Sequence, residues 1–223
     1  MRAGGSQLLD EPVEIAIVDY GMGNRRSVEK ALAHIGANAT ITSDVDELQG
    51  AAGLILPGVG AFPKAMQNLE RLGLAELLRE RVAQGTPLLG ICLGMQLAFE
   101  RSSELGGAAG LGIVPGEVRQ LQAGALKLPH IGWNEVTFAT PSPLTAELPA
   151  SCAFYHVHSF VAEPADAQDV LGTAEYGERF VTAVQRGSFY GVQFHPEKSS
   201  AAGLRMLANF ARTCLTAGAG VAR

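Results

Sequence analysis

The segment from Pro87 to Leu97 contains a cysteine with one glycine two residues before it and another two residues after it. Leu88 to Ile91 are apolar around a glycine, which predicts a short buried strand that stops at the cysteine. Met95 to Glu100 contain no helix breaker, which predicts a helix directly behind it. A strand that turns at once into a helix exposes its corner residue. The spacing is that of a nucleophile elbow, with Cys92 at the corner.

The two flanking glycines, Gly90 and Gly94, have a steric reason to be there. A Cβ at either position would press on the incoming strand or the outgoing helix. The first amides of the helix point outward at the corner, and their partial positive charge favours the thiolate, which is the attacking form of cysteine. The alternative is that Cys92 is a small buried hydrophobe at a strand end. The paired glycines favour the nucleophile.

Composition excludes several classes of protein. With 223 residues, a net charge of -5 and no basic run, the chain has no electrostatic footprint for nucleic acid or an anionic membrane. No apolar run of about 18 residues and no signal-peptide pattern occur, so we expect no membrane span. The three cysteines are far apart and form no C-x-x-C pair, which argues against a disulfide framework or zinc ribbon. A reducing cytoplasm is the expected location.

The order of predicted elements gives the fold class. Strands at 13–19, 39–42, 53–56 and 88–92 alternate with helices at 27–35, 64–71 and 74–84, which predicts a mainly parallel, doubly wound central sheet with helices on both faces. Later strands are predicted at 117–122, 132–138, 153–162, 170–176, 180–186 and 189–194, before a last helix capped by Ser199 or Ser200. We expect one α/β domain over residues 1–223 with a largely antiparallel second half. Residues 1–12 and 216–223 are expected to be frayed tails.

Glycine-rich turns follow two of the early strands, and neither matches a nucleotide-binding motif. Gly21-Met22-Gly23 lacks the third glycine of a dinucleotide fingerprint, and no Lys-Ser or Lys-Thr follows Pro57-Gly58-Val59-Gly60 as a P-loop requires. We therefore predict no cofactor. The glycines after residue 57 leave backbone amides open at the carboxyl end of a strand.

A thiol that attacks an amide needs an imidazole to take its proton and to protonate the leaving amine. Of the five histidines, His34 and His130 are better explained as structural residues. His195 is the best candidate, because it ends a strand and Pro196 holds it extended. If the chain stays extended, Glu197 lies on the same side and can orient the imidazole, completing a Cys, His, Glu triad.

A metal site is the alternative use of these residues. His156-x-His158 together with His195-x-Glu197 supplies enough imidazole and carboxylate for zinc. The triad interpretation is favoured, and no metal is predicted.

Three motifs together resemble the triad (class I) glutamine amidotransferases. They are Gly-Ile-Cys-Leu-Gly-Met-Gln at 90–96, Pro-Gly-Val-Gly-Ala-Phe at 57–62 and Phe-His-Pro-Glu-Lys-Ser at 194–199. The segments at 19–24 and 128–134, and Lys198, resemble the branch of that family that delivers ammonia to a (β/α)8-barrel cyclase in histidine biosynthesis. The lead before Val13 is longer than the family usually has.

The resemblance implies hydrolysis of glutamine to glutamate and ammonia through a glutamyl thioester. It implies that Cys92, His195 and Glu197 are catalytic, that Gly58, Val59 and Leu93 form the oxyanion hole, and that Gln96, Ser159 and Phe160 hold glutamine. Asn24 and Lys198 match positions that face the cyclase, which would be bound as a heterodimer. Two alternatives stay open: a scaffold module without hydrolysis, and an amidotransferase subunit of another pathway, such as anthranilate synthesis.

Overall fold

The computed structural model of the chain describes residues 8–9 and 11–221. The strands are β1 (Glu14–Val18), β2 (Asn38–Thr42), β3 (Gly53–Gly58), β4 (Leu88–Cys92), β5 (Phe99–Ser102), β6 (Ala108–Ala109), β7 (Val114–Gln120), β8 (His130–Phe138), β9 (Ser151–His158), β10 (Phe160–Pro164), β11 (Val170–Tyr176), β12 (Glu178–Arg186) and β13 (Phe189–Val192). The α-helices are α1 (Arg25–Ile35), α2 (Val45–Gly50), α3 (Phe62–Arg71), α4 (Leu74–Ala83), α5 (Leu93–Leu97) and α6 (Ser200–Val221).

The strands form one mixed sheet in the order β2-β1-β3-β4-β13-β12-β10-β7-β5-β6, and β11, β8 and β9 branch from β12. β2, β1, β3, β4 and β13 are parallel. The predicted α/β class with a doubly wound parallel part is confirmed. The antiparallel strands of the second half extend this same sheet, because β13 pairs with β4 on one side and with β12 on the other.

Helices cover both faces of the parallel part. Side chains alternate along a strand, so Ile15 and Ile17 of β1 join the apolar cluster that contains α1 and α6. Ala16 and Val18 join the opposite cluster, to which α3, α4 and α5 contribute. The carboxyl ends of β3 and β4 meet at one edge of the sheet, which is where parallel α/β folds bind ligands.

Three elements differ from the predicted ones. The helix predicted over 95–100 is α5, which ends at Leu97, and Phe99 begins strand β5 because its backbone pairs with β7. The strand predicted over 153–162 is two strands, separated at Ser159. Helix α2 was not predicted; Asp44 caps it, its carboxylate accepting hydrogen bonds from the amides of Asp46 and Glu47.

The prediction of frayed tails at both ends is partly wrong. Leu9 is buried in the core, and the Leu8 amide bonds to the carbonyl of Ile35, because this apolar pair packs against α1. At the other end, α6 continues to Val221. Residues 1–7, 10 and 222–223 of the predicted tails lie outside the described residues. Of the helices in the described part of the chain, none, α6 included, is long and apolar enough to span a membrane.

Candidate active site

Cys92 occupies the sharp corner that the sequence predicts. It ends β4, and α5 begins at the next residue, Leu93. Its backbone angles are φ 55° and ψ -111°, a conformation that is costly for any residue with a side chain. Such strain persists only where the surrounding structure enforces it, so the local fold holds the sulfur in this place.

The glycines around Cys92 are sterically required, as predicted, although one of them for a different reason. A Cβ on Gly94 would lie 1.7 Å from the carbonyl oxygen of Leu56, so the obstacle is the neighbouring strand β3. A Cβ on Gly90 would lie 2.7 Å from the carbonyl oxygen of Gly94, in the outgoing turn. Because α5 has only five residues, free amides at the turn matter more than a helix dipole.

His195 and Glu197 lie together, but not for the predicted reason. Residues Pro196–Lys198 form a single turn of 3-10 helix instead of an extended chain. This turn brings Glu197 Oε1 to 2.9 Å from His195 Nδ1. The backbone is fixed from outside, since the His195 amide donates to the carbonyl of Tyr155 at 2.9 Å and the Ser199 hydroxyl donates to the carbonyl of His195 at 2.6 Å.

The imidazole of His195 joins the cysteine to the carboxylate. With Nδ1 facing Glu197, Nε2 is the ring nitrogen available to Cys92, which lines the same cavity. Burial alone lowers the pKa of His195, but the polar contacts and charges of Cys92 and Glu197 raise it to about 9. The imidazolium is therefore stable at neutral pH between a sulfur and a carboxylate.

The carboxylate of Glu197 is shielded from solvent. Its side chain has 0% exposure, and Oε2 has no hydrogen-bond partner among the described residues. Asn24 donates its side-chain amide to Oε1 at 3.3 Å. The resemblance implies that Asn24 faces a partner; its side chain makes no capping bond to α1 and instead reaches Glu197.

A cavity of about 340 Å³ opens beside these residues at the carboxyl edge of the sheet. This size suits one small polar molecule such as an amino acid. The lining residues are Val59, Gly60, Cys92, Leu93, Gln96, Glu104, Pro129, Val157, His158, Ser159, Phe160, His195 and Lys198.

Two of the predicted oxyanion residues, Val59 and Leu93, line this cavity, and Gly58 directly precedes Val59. Gly58 is paired with Cys92 in the sheet register, so the peptide after Gly58 lies next to Cys92. A Cβ on Gly58 would lie 2.7 Å from Leu93 Cβ and 2.8 Å from Tyr20 Oη, which leaves room only for glycine. Tyr20 also donates its hydroxyl to the carbonyl of Pro57 at 2.8 Å. Burial is the larger cause that raises the pKa of Tyr20, and the nearby sulfur of Cys92 raises it further. The Tyr20 hydroxyl therefore remains a neutral donor.

The predicted glutamine-binding residues Gln96, Ser159 and Phe160 also line the cavity. Gln96 is in α5 and donates its amide to the carbonyl of Phe160 at 3.1 Å and to Gln193 Oε1 at 2.9 Å. Both amide hydrogens are thereby used, and the side-chain oxygen is the group left for a ligand. Ser159 lies in the break between β9 and β10, beside Phe160.

His34 is exposed on α1. The other three remaining histidines, His130, His156 and His158, make hydrogen bonds that support the fold. His156 is fully buried, with one ring nitrogen on the carbonyl of Phe154 and the other on the hydroxyl of Thr182. His158 contacts the carbonyl of Phe160 and the ring of His130. Burial lowers the pKa of both His156 and His158 to about 3, so both are neutral.

These contacts disfavour the zinc alternative. Both ring nitrogens of His156 are occupied, and His195 faces Cys92 and Glu197 instead of the other histidines. Within residues 8–9 and 11–221, no three His, Cys, Asp or Glu side chains converge as metal ligands.

Lys198 is exposed at the mouth of the cavity. Its ammonium lies 5.9 Å from the centre of the Tyr155 ring, which in turn stacks edge-to-face with Trp133 at 6.2 Å. Trp133 and Ile131, on the same side of β8, are 54% and 59% exposed. An apolar surface therefore adjoins the entrance.

Sequence reasoning missed three residues that complete the site: Tyr20, Glu104 and Gln193. Glu104 accepts a hydrogen bond from the Phe62 amide at 2.8 Å, and Gln193 approaches the sulfur of Cys92. A signal existed only for Gln193, because it precedes His195 by two residues and so faces the same side of an extended chain.

Comparisons with known proteins agree with this architecture. Residues 16–214 match the family model described as glutamine amidotransferase class-I. A solved structure described as a glutamine amidotransferase superimposes with a TM-score of 0.70 at 20% identity, covering 89% of this chain and 98% of that chain. The chain belongs to the class I glutamine amidotransferase family and is a glutamine amidotransferase.

Two relatives define the branch. A protein of Moorella thermoacetica is 52% identical over 204 residues, covering 92% of this chain and 97% of its own length. A protein of Bacillus cereus is 52% identical over 196 residues, covering 88% and 93%. Both are named imidazole glycerol phosphate synthase subunit HisH.

Proposed function

We propose that this chain is the glutaminase subunit of an imidazole glycerol phosphate synthase, with Cys92, His195 and Glu197 as its catalytic triad. The observation that carries the proposal is the meeting of a strained cysteine with a buried imidazole, itself hydrogen-bonded to a buried carboxylate, at a cavity of amino-acid size. The similarity to proteins named HisH supports the choice of pathway.

The reaction begins with attack of the Cys92 sulfur on the side-chain amide carbon of glutamine. As the carbon–nitrogen bond breaks, the imidazolium of His195 donates a proton to the nitrogen, which leaves as ammonia. A glutamyl thioester remains on the sulfur. His195, now neutral, takes a proton from water, whose oxygen attacks the thioester and releases glutamate. Glu197 keeps the ring in the required orientation throughout.

The tetrahedral oxyanion would be bound by the amide of Leu93 and an amide of the Gly58–Val59 segment. One donor of this kind is typically worth about 2.7 to 4 kcal/mol of barrier. Tyr20 holds the Pro57 carbonyl, so a rotation that switches this donor on or off is confined to the peptide after Gly58. A resting enzyme with bound glutamine and the Val59 amide already directed at the oxyanion would contradict this switch.

Glutamine would be held on the wall formed by Gln96, Ser159 and Phe160. Gln96 has its amide hydrogens committed to Phe160 and Gln193, which orients its oxygen as an acceptor for an ammonium or amide group. The backbone of Ser159 and Phe160, at the break between two strands, would supply further polar groups.

The partner would be a (β/α)8-barrel cyclase, bound as a heterodimer. It adds the ammonia to a phosphoribulosyl formimino carboxamide ribotide and forms imidazole glycerol phosphate and an aminoimidazole carboxamide ribotide. Ammonia released into water near neutral pH mostly becomes ammonium, so it must pass inside the complex. The exposed surface of Ile131, Trp133 and Val59 beside the cavity mouth supports this face as the docking site, with Lys198 at its edge.

A catalytic thiol must stay reduced, which supports the cytoplasm as the location.

The test is co-purification with the barrel cyclase, followed by a glutamine-dependent synthesis assay. The parent pair is expected to form product from glutamine, and a pair with Cys92→Ala is expected to form product only from added ammonium salt. Association with an anthranilate-type synthase in place of the cyclase, or synthesis from glutamine by the Cys92→Ala pair, would overturn the proposal.

A further inference from the structure

We propose that Gln193 is a further catalytic residue: its side-chain amide donates to the Cys92 sulfur and stabilises the thiolate, while its side-chain oxygen holds Gln96. The inference rests on the proposed function of Cys92 as the nucleophile.

The sheet register places Gln193 beside the nucleophile. β13 runs parallel to β4 and its last pair is Val192 with Ile91, so Gln193 and Cys92 are the next residues on the two neighbouring chains. β13 ends at Val192, and the chain bends at residues 193 and 194. The side-chain amide of Gln193 faces the sulfur from the end of this strand.

The side-chain hydrogen bonds that the structure gives for Gln193 both lie within the site. Its side-chain nitrogen lies 3.7 Å from Cys92 Sγ, within hydrogen-bonding range for sulfur, and its oxygen accepts from Gln96 at 2.9 Å. Gln193 has 0% exposure. A buried amide that lacks partners is costly, and here the partners are the nucleophile and the residue proposed to hold the substrate.

The hydrogen bond from the Gln193 amide to the Cys92 sulfur differs in strength between the thiol and the thiolate. A thiol is a weak hydrogen-bond acceptor, whereas a thiolate accepts strongly because the bond is assisted by charge. The amide of Gln193 thus stabilises the reactive form more than the resting thiol. The imidazolium of His195, which lines the same cavity, favours the thiolate in the same direction.

A merely structural role predicts something different. If Gln193 only fills space and anchors Gln96, its replacement changes stability or glutamine affinity but leaves the reactivity of the sulfur unchanged. The pH dependence of alkylation separates these roles, because it reports the thiolate population without any substrate.

Two substitutions divide the functions of Gln193. Gln193→Glu has the same shape and keeps the acceptor for Gln96, but as a carboxylate it cannot donate to the sulfur. Gln193→Met has similar volume and removes both polar contacts. Thr182→Val is the matched control, since Thr182 is equally buried and its hydroxyl bonds to His156, away from the sulfur.

The experiment measures the rate of Cys92 alkylation by iodoacetamide across pH, with the adduct quantified by peptide mass spectrometry and the fold monitored by circular dichroism. Gln193→Met is expected to raise the pH of half-maximal reaction by about one unit, which lowers the rate about tenfold below the midpoint. Gln193→Glu should raise it further, because a carboxylate repels the thiolate. Thr182→Val should keep the parent midpoint.

If folded Gln193→Glu and Gln193→Met kept the same pH of half-maximal alkylation as the parent chain, the inference would be overturned. The parent chain gives a measurement that needs no substitution at this position: the side-chain amide proton resonance of Gln193 should move downfield as the thiolate forms. A constant resonance across the alkylation midpoint would likewise overturn it.

The failure of this inference can be told apart from failure of the proposed function. If the parent pair with its cyclase hydrolyses glutamine while the Gln193 variants keep the parent midpoint, only the role of Gln193 is wrong. If Cys92→Ala still hydrolyses glutamine, the nucleophile itself is wrong.

Discussion

His195 links the chemistry of the site to the stability of the fold. Its pKa in the folded chain is raised to about 9, above the ordinary value of 6.5. Below pH 6.5 the folded and unfolded chains both carry this proton, and the contribution of protonated His195 to the free energy of unfolding is fully present. As the pH rises from 6.5 through 9, the folded chain holds a proton that the unfolded chain has lost, so the stabilisation disappears.

We therefore expect the free energy of unfolding to fall by up to about 1.4 kcal/mol per pH unit in this window because of His195. Urea unfolding at several pH values measures the slope. His195→Gln should flatten it, and His34→Gln, a substitution at an exposed histidine, should leave it as in the parent. An equal slope in His195→Gln and the parent would contradict the assignment.

Some individual residues could be predicted from the sequence and others could not. Cys92 is identified by its two neighbouring glycines, and His195 with Glu197 by a short local motif. Tyr20 and Asn24 reach the site through contacts with residues far along the chain, at Pro57 and Glu197, and no local pattern reports such contacts.

The turn between β4 and α5 is the element on which the site depends most. Because a Cβ on Gly94 would collide with the backbone of β3, Gly94→Ala is expected to lower the free energy of unfolding by more than about 3 kcal/mol, or to displace Cys92 and abolish glutamine hydrolysis. Thermal unfolding and the ammonia assay measure the two effects.

Gly50 provides the matched control for this substitution. It ends α2, and a Cβ there meets nothing within 4 Å. Gly50→Ala should be neutral or stabilise the chain by up to about 1 kcal/mol. If Gly94→Ala behaved like Gly50→Ala, the steric account of the turn would be wrong.

The sequence pattern predicts elements well where local preference and packing agree. The first four strands and helices α1, α3 and α4 follow apolar periodicity and lie close to their predicted bounds. The segment after Leu97 does not, because Phe99, which the sequence predicts to be helical, pairs with β7. Pairing across the sheet overrides helix propensity there, and a single sequence does not reveal which strand is the partner.

For the molecule as a whole, the surface beside the cavity mouth connects catalysis with assembly. We expect Ile131→Glu and Trp133→Ser to weaken binding of the barrel cyclase at least tenfold, because each removes exposed apolar area from the proposed interface. Calorimetric titration with the cyclase measures the affinity. Val45→Ser, at an exposed valine on α2 outside the cavity lining, is the control.

Partner binding should also set the activity. Glutaminase turnover is expected to be low in the isolated chain and to rise when the cyclase carries its nucleotide ligand, since the donor after Gly58 would be organised only in the complex. Equal turnover of the isolated chain and the liganded complex would contradict this coupling. Unchanged affinity in both interface variants would place the docking site elsewhere.

The identity of the nucleophile can be measured directly with an electrophilic glutamine analogue and peptide mass spectrometry of the complex with the cyclase. Our account predicts one adduct per chain, on Cys92, formed in parallel with loss of ammonia release and prevented by excess glutamine. Adducts only on Cys152 or Cys214, or ammonia release that continues while Cys92 is fully labelled, would contradict it.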